Sequence, residues 1–289
     1  MKKVVQDGLV SMEVSRGPSR GSIVRWMFAM VVEATRRSGT SPRYLPPLVM
    51  MALSPIPYVL RFRGVLRTPF GKIRVTSQES MRCFVYGMFK TRFWYLRRLD
   101  QLTGRSHFFP VVVDVGACLG DLTMALSGLS GRVLALEPGT QNYHSLCHNI
   151  ALNSMDNVVA RNVAAHDRTE EVRLSGNSSD LRVTSSSVGQ RVRGEPLDIV
   201  VQGEGIDRID LLKIDVQGHE RSVLRGMEEM LRRHRVKLII IEVHPNSKVS
   251  GQEVTSLINS HGYKLLARDN YFFDQVHFYF GDNVDQFQT

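Results

Sequence analysis

No stretch of this sequence reaches the roughly 20 consecutive apolar residues that a membrane-spanning helix needs. Cysteine is scarce: Cys83, Cys118 and Cys147 stand at spacings that match no metal-ligand pattern. Three cannot all pair, which suits a reducing compartment such as the cytoplasm and argues against a disulfide framework. The Met-Lys-Lys start is interrupted by Asp7 and Glu13, so no apolar signal-peptide core is expected. Acids are scarce in the first third: residues 1–110 carry 19 Lys/Arg against 5 Asp/Glu, or +14. Residues 111–289 carry 18 against 23, or −5. The basic character therefore belongs to the N-terminal third, where it suits contact with phosphates on a membrane or a nucleic acid, or simply a solvated basic face.

That third reads as an extension, residues 1–63, ahead of a domain at 64–289. Residues 1–22 are polar and expected to be poorly ordered. Ile23–Ala34 has helical spacing. Residues 45–60 lack charge, but Pro46, Pro47, Pro55 and Pro57 forbid a long helix there. With Arg61, Arg63 and Arg67 following, residues 1–67 suit either peripheral contact with a bilayer or packing on the rest of the chain. A hairpin at Gly64–Thr76 and a helix to about Leu102 come next, making a hairpin-and-helix segment over 64–105.

From residue 110 onward strands alternate with helices. Val111–Val115, Arg132–Leu136, Val158–Val163, Leu211–Ile214 and Leu238–Val243 read as strands. Helices are expected at Asp121–Leu129, with Leu122, Leu126 and Leu129 on one face, and at Thr140–Leu152, with Tyr143, Leu146 and Ile150 inward. A further helix carries Val223, Leu224, Met227 and Leu231, and Ser250 with Glu253 forms a capping box for the last. Tyr263–Arg268 and Gln275–Phe280 can pair antiparallel. The long polar stretch 167–205 needs structure of its own, expected as short strands or a substrate-facing flap at Val172–Leu174, Leu181–Val183 and Ile199–Val201. The pattern implies an α/β fold: a Rossmann-like, mostly parallel sheet with an antiparallel last strand, covered on both faces.

Val111–Gly120 is a strand, a glycine loop and a helix start, and ligands in such folds bind where these loops leave the strands. Gly116 and Gly120 permit tight turns and close approach of a ligand. A dinucleotide fingerprint would need a glycine where Cys118 stands. Asp114, at the strand's end, repels pyrophosphate and suits a cation such as the methionine ammonium. Glu137 ends the next strand, 17 residues after Gly120, where a carboxylate can accept both hydroxyls of a ribose. These features favour S-adenosylmethionine over NAD.

Five segments in order, Asp114–Gly120, Glu137-Pro138, Asn162–Ala165, Ile209–Glu220 and Glu242–His244, resemble the FkbM-type methyltransferase family. The most specific is the run Asp-Leu-Leu-Lys-Ile-Asp-Val-Gln-Gly-His-Glu ending at Glu220. Leu197-Asp198 also looks like a family element, whereas Cys118 departs from the small or polar residue expected. The resemblance covers roughly residues 64–265. It implies a class I methyltransferase fold and O-methylation of a hydroxyl on a sugar, glycolipid or secondary metabolite. It also implies S-adenosylmethionine contacts at Asp114, Gly116, Ala117, Gly120, Glu137, Pro138 and Ala164.

Methyl transfer from a sulfonium is an in-line displacement, so it calls for alignment of the acceptor oxygen and a base to take its proton. Asp215, Glu220, Glu242 and His244 stand at the carboxyl ends of the fourth and fifth strands as candidates, although Asp215 equally suits bracing Gly218 and the following helix, and His244, ahead of Pro245, capping a turn. Glu242 and His244 alternate on one strand and face one side. Glu220 sits in a helical first turn, where the dipole favours a carboxylate in any case. Lys213 shares a face with Asp215 and can anchor an oxygen or pair with an acid. No metal is expected, and His144 with His148 reads as an exposed helix face. Two rivals remain open: an RNA methyltransferase, suggested by Arg92, Phe93, Trp94, Tyr95, Arg97 and Arg98 although no RNA-binding motif accompanies them, and a non-catalytic, cofactor-binding protein that docks on membranes.

Overall fold

The computed structural model describes residues 63–282, apart from 69, 78–79, 82, 84–86, 88–90, 92–94, 105–106, 178–180, 245–248 and 271–274. Residues 1–62 of the N-terminal extension, Pro69, the run 92–94 and Pro245 therefore lie outside the described residues.

Valine-rich and isoleucine-rich segments build the central sheet, as their β-branched side chains favour. Its strands are β3 (Phe109–Val115), β4 (Ser130–Leu136), β5 (Val158–Arg161), β10 (Ile209–Ile214), β11 (Val236–Val243), β12 (Lys264–Asn270) and β13 (Val276–Gly281). Their order is β12-β13-β11-β10-β3-β4-β5. Only β13 runs against its neighbours, pairing antiparallel with both β11 and β12. From β3 the chain moves outward to β4 and β5, then returns to lay β10 on the other side of β3. The strand order thus reverses at β3, and ligand crevices open at such a point.

Helices α2 (Asp121–Ser127) and α3 (Thr140–Leu152) follow β3 and β4. The helix α1 (Leu96–Thr103) buries Leu96 and Leu99 beside Val112, Leu211 and Tyr279 of the sheet. Two polar residues, Asn142 and Asn149, are buried on α3, whereas Tyr143 is half-exposed. Asn142 donates to the Glu137 carboxylate, and Asn149 faces the hairpin formed by β1 (Gly64–Thr68) and β2 (Gly71–Val75). Asn149 Oδ1 accepts from the Arg74 N–H at 2.9 Å, and its amide donates to the Leu119 carbonyl at 2.9 Å. Asn153 holds both the N–H and the carbonyl of Lys72. Histidines 144 and 148 do lie on the exposed face of α3.

The polar stretch folds as a second sheet, order β6-β9-β7-β8, from β6 (Ala164–His166), β7 (Glu170–Ser175), β8 (Arg182–Thr184) and β9 (Gln190–Pro196). The strands expected at Val172–Leu174 and Leu181–Val183 fall in β7 and largely in β8. Ile199–Val201 is not a strand but part of helix α4 (Leu197–Gly203). Leu197, Val200 and Val201 are buried and Ile199 is 49% exposed, a 3.6-residue period that the short β-branched run concealed.

The helix expected after β10 is two: α5 (Glu220–Arg225) and α6 (Glu228–Arg232). Gly226 separates them and lies against β6, since a Cβ there would stand 1.8 Å from the His166 carbonyl oxygen. Asp198 caps α6 from a distance, accepting the N–H groups of Glu229 and Met230. Helix α7 (Gly251–Ser260) begins as expected, with Ser250 Oγ accepting from the Glu253 N–H at 3.1 Å.

Candidate active site

Where β3, β4 and β10 end, a cleft opens. Its polar lining is Cys118, Glu137, Asn142, Asp215, Gln217 and His219, and its apolar walls include Leu136, Val163, Leu174 and Leu181. The second sheet supplies Leu174 and Val183, closing the cleft on one side. Of the residues expected to touch cofactor, Gly116, Glu137, Pro138 and Ala164 line it, and so does Asp215. The cofactor candidates Asp114, Ala117 and Gly120 and the catalytic candidates Lys213, Glu242 and His244 are not among its lining residues.

Gly116 has φ +82°, and its N–H donates to the Leu136 carbonyl at 2.9 Å. A Cβ on it would stand 1.9 Å from the backbone oxygen of Asp215, so the β3 and β10 ends meet only over a bare backbone. Cys118 also takes a positive φ, 51°, and its N–H donates to Glu137 Oε2 at 2.8 Å. Burial beside Cys83 pushes its thiol up, with the Cys83 side-chain contact the larger cause. Gly120, φ +90°, is tight for another reason: Leu146 of α3 packs against it.

Glu137 Oε1 accepts from the Gly139 N–H at 2.8 Å and the Asn142 amide at 3.4 Å. Burial raises this carboxyl to about 7, against the pull of these donors. A carboxylate has about four lone-pair sites; with the Cys118 and Gly139 N–H groups and the Asn142 amide on three of them, it retains capacity for a hydroxyl donor from a ligand. A raised carboxyl contributes most to stability below the ordinary carboxylate range, and that contribution falls as pH rises through about 7. A ribose that donates hydrogen bonds to Glu137 favours its ionised form, so binding releases a proton below that pH. S-adenosylhomocysteine affinity is accordingly expected to rise roughly tenfold between pH 5.5 and 7.5 and to stay flat in Glu137→Gln. Calorimetry in two buffers of different ionisation enthalpy reads both the affinity and the proton.

Asp114 is fully buried beneath the loop. Its Oδ2 accepts from Thr123 Oγ1 at 2.6 Å, and Oδ1 lies 3.2 Å from Lys213 Nζ. Lys213, 4% exposed, donates to the Gly116 carbonyl at 2.9 Å and lies 3.8 Å from Asp215 Oδ2. The lysine thus pairs with acids on the face it shares with Asp215. His244 Nε2 lies 3.0 Å from Asp215 Oδ1 and 3.5 Å from Glu242 Oε1, and its Nδ1 meets the Gln275 amide at 3.1 Å. Glu242 is fully buried; its Oε2 accepts from Tyr95 OH at 2.9 Å and lies 3.3 Å from His277 Nε2. Glu220 is likewise buried, accepts from the Gly218 N–H, and is pushed upward by burial.

Two groups, Asp215–Glu242–His244 and His166–Asp167–Glu170, bring one ligand atom from each residue within 4.8 Å of the others. In each, a histidine Nε2 faces both carboxylates, hydrogen-bonded to Glu170 in one and to Asp215 in the other.

The sequence had pointed to Asp215 but left Gln217 and His219 without a role. Their signal was position, since they sit in the loop leaving the fourth core strand beside Gly218. Tyr95 and His277 gave none: each meets Glu242 only through the tertiary fold.

The methyltransferase FkbM domain model matches residues 114–265, more than half of the chain. The chain belongs to that family. S-adenosylmethionine is the cofactor that goes with it, and the site fits: a buried carboxylate accepts at the second strand's end, a bare glycine backbone opens the loop, and Asp215 adds a carboxylate to the lining. Within the FkbM family, a stretch of 74 residues is 38% identical to the 31-O-demethyl-FK506 methyltransferase FkbM of Streptomyces tacrolimicus, covering 26% of this chain and 28% of that enzyme. Methyltransferase sdnD of Sordaria araneosa is 25% identical over 194 residues, 54% of this chain and 74% of sdnD. The match to FkbM itself therefore spans little more than a quarter of that enzyme. Among solved structures, the METTL16 methyltransferase domain superposes with a TM-score of 0.52 at 12% identity, over 84% of this chain and 96% of that one. That likeness is one of fold, a class I methyltransferase sheet.

Proposed function

We propose that this chain moves a methyl group from S-adenosylmethionine to a hydroxyl of a small acceptor: a sugar, a glycolipid or a secondary metabolite. Residues 64–289 form its methyltransferase domain. The observation that carries the reading is Glu137, a 4%-exposed carboxylate that lines the cleft with its remaining acceptor sites. It would accept from the ribose, while the Gly116 backbone, Pro138 and Ala164 shape the surrounding wall. When bound, the cofactor supplies an electrophilic methyl on a sulfonium.

Asp215, a second carboxylate lining the cleft, would attract the cationic groups of the cofactor. His244 and Lys213 hold it there, with Glu242 beside His244 and Asp114 beside Lys213 in turn. Ala117 and Gly120 shape the loop from below. Oxygen as the methyl acceptor gains support from the relative whose name specifies an O-demethyl substrate. The RNA reading drew on a basic N-terminal third whose first 62 residues lie outside the described ones.

Calorimetric titration of the purified protein with S-adenosylhomocysteine and, separately, NAD tests the cofactor assignment. Glu137→Ala is expected to weaken S-adenosylhomocysteine binding by ~1–3 kcal/mol, as for hydrogen bonds to a charged group. Binding of NAD alone would overturn the reading.

A further inference from the structure

Beside the cofactor cleft lies a second, more open pocket, walled by the second sheet and the Gln217–His219 loop. The two cavities share Val183, Gln217 and His219. An in-line displacement puts the acceptor oxygen on the far side of the methyl from sulfur, so donor and acceptor must meet across such a shared wall. Among the described residues, His219 is the only titratable side chain common to both linings.

His219 does not stand alone. Its Nε2 lies 2.7 Å from His166 Nδ1, and His166 Nε2 lies 2.7 Å from Glu170 Oε1. The two imidazole rings are 4.8 Å apart at their centroids and inclined by 22°. Rings piled face to face at van der Waals contact would be closer. Nearly coplanar rings joined through one N–H···N bond have this spacing, so the geometry is edge to edge. His166 is buried, and a Cβ on Gly194 of β9 would stand 3.2 Å from its Cδ2, so the second sheet holds the ring closely.

The hydrogen bonds fix the tautomers when both rings are neutral. Glu170 is ionised, held below its ordinary range first by Arg168 and then by His166, so it can only accept. His166 must then carry its proton on Nε2 and accept at Nδ1, which requires His219 to donate from Nε2. The lone pair of His219 is left on Nδ1. Burial keeps this ring uncharged near neutral pH, lowering it to about 4.

We propose that His219 is the proton acceptor of the reaction, with His166 and Glu170 as positioning residues, and that the adjoining pocket binds a polyhydroxylated acceptor. As the acceptor oxygen bonds to the methyl carbon, the carbon–sulfur bond breaks and its electron pair stays on sulfur. The hydroxyl proton passes to His219 Nδ1. The products are a methyl ether, S-adenosylhomocysteine and an imidazolium, which returns its proton to solvent through His166 and the 36%-exposed Glu170 side chain. Serines 185–187, Arg173, Arg182 and Glu171 line the pocket, a set of hydroxyl, guanidinium and carboxylate groups suited to vicinal diols. This proposal rests on the methyl-transfer reading above.

The test uses the full chain, 15N-labelled and saturated with S-adenosylhomocysteine. Two-bond nitrogen–proton spectra, assigned with His219→Asn, are expected to show His219 neutral at pH 7.5 with its proton on Nε2. His166→Ala should mix the tautomers. A proton on Nδ1, or a His219 spectrum unchanged by His166→Ala, overturns the relay. In a second arm, methyl-labelled S-adenosylmethionine is offered with glucose, rhamnose and methyl glucoside. His219→Asn should slow transfer by about 10²–10⁴-fold while S-adenosylhomocysteine affinity stays within about fivefold, and Glu170→Gln should slow it less. Transfer by His219→Asn within threefold of wild type defeats the base assignment, and no transfer to any sugar by a chain that binds S-adenosylhomocysteine defeats the acceptor class. A wild-type chain that binds no S-adenosylhomocysteine defeats the underlying reading instead.

Discussion

Lys213→Met is expected to destabilise the fold by about 3–5 kcal/mol, the usual result of stripping one partner from a buried ion pair. The methionine stem fills most of the lysine's volume, so the loss is electrostatic rather than a cavity. Asp114 Oδ1 at 3.2 Å and the Gly116 carbonyl at 2.9 Å both lose the ammonium, and nothing apolar can replace it. At about 2–4 °C per kcal/mol for a domain of this size, the melting temperature should fall by roughly 6–20 °C, readable by circular dichroism. Lys213→Met with Asp114→Asn removes both charges and should recover more than half of the loss. A single variant within about 1 kcal/mol of wild type would show that the pair is not closed off from solvent.

Gly116→Ala is expected to reduce S-adenosylhomocysteine affinity at least about 100-fold and to cost several kcal/mol of stability, the range for enforced backbone strain and overpacking. Two causes act together: φ of +82°, and a Cβ 1.9 Å from the Asp215 carbonyl oxygen. Relief requires the β3 and β10 ends to part, which displaces both the loop and Asp215. Gly128→Ala is the control. It follows α2 with φ −73°, and nothing lies within 4 Å of a Cβ there. Its stability should change by no more than about 0.5 kcal/mol. Equal effects at the two glycines would mean that the loop adjusts freely.

Much of this architecture could be read along the chain because it is local or periodic. The β-branched strands, the bounds of α3 and the Ser250 cap follow from propensity and spacing within a few residues. The family motifs likewise placed Glu137 and Asp215 at the cleft. What escaped was set by partners distant in sequence. Asn142 and Asn149 are buried because backbone and carboxylate groups elsewhere need their amides. Asp114 has the charge a cofactor ammonium would want, but Lys213, 99 positions on and one strand across, takes it. Ile199–Val201 was ambiguous because three residues cannot distinguish a strand from a helical turn. Gly226 ended a helix for the sake of the His166 backbone, a contact between segments 60 residues apart.

The β1–β2 hairpin lies ahead of the matched family segment, yet α3 treats it as one more rung of the sheet. Asn149 and Asn153 present side-chain amides to Lys72 and Arg74 much as a neighbouring strand would present its main chain. Residues 114–265, excised alone, would therefore carry a helix face bearing amides whose intended complement had been cut away. The unit that evolution recognises by its motifs and the unit that can hold itself together in water are not the same length.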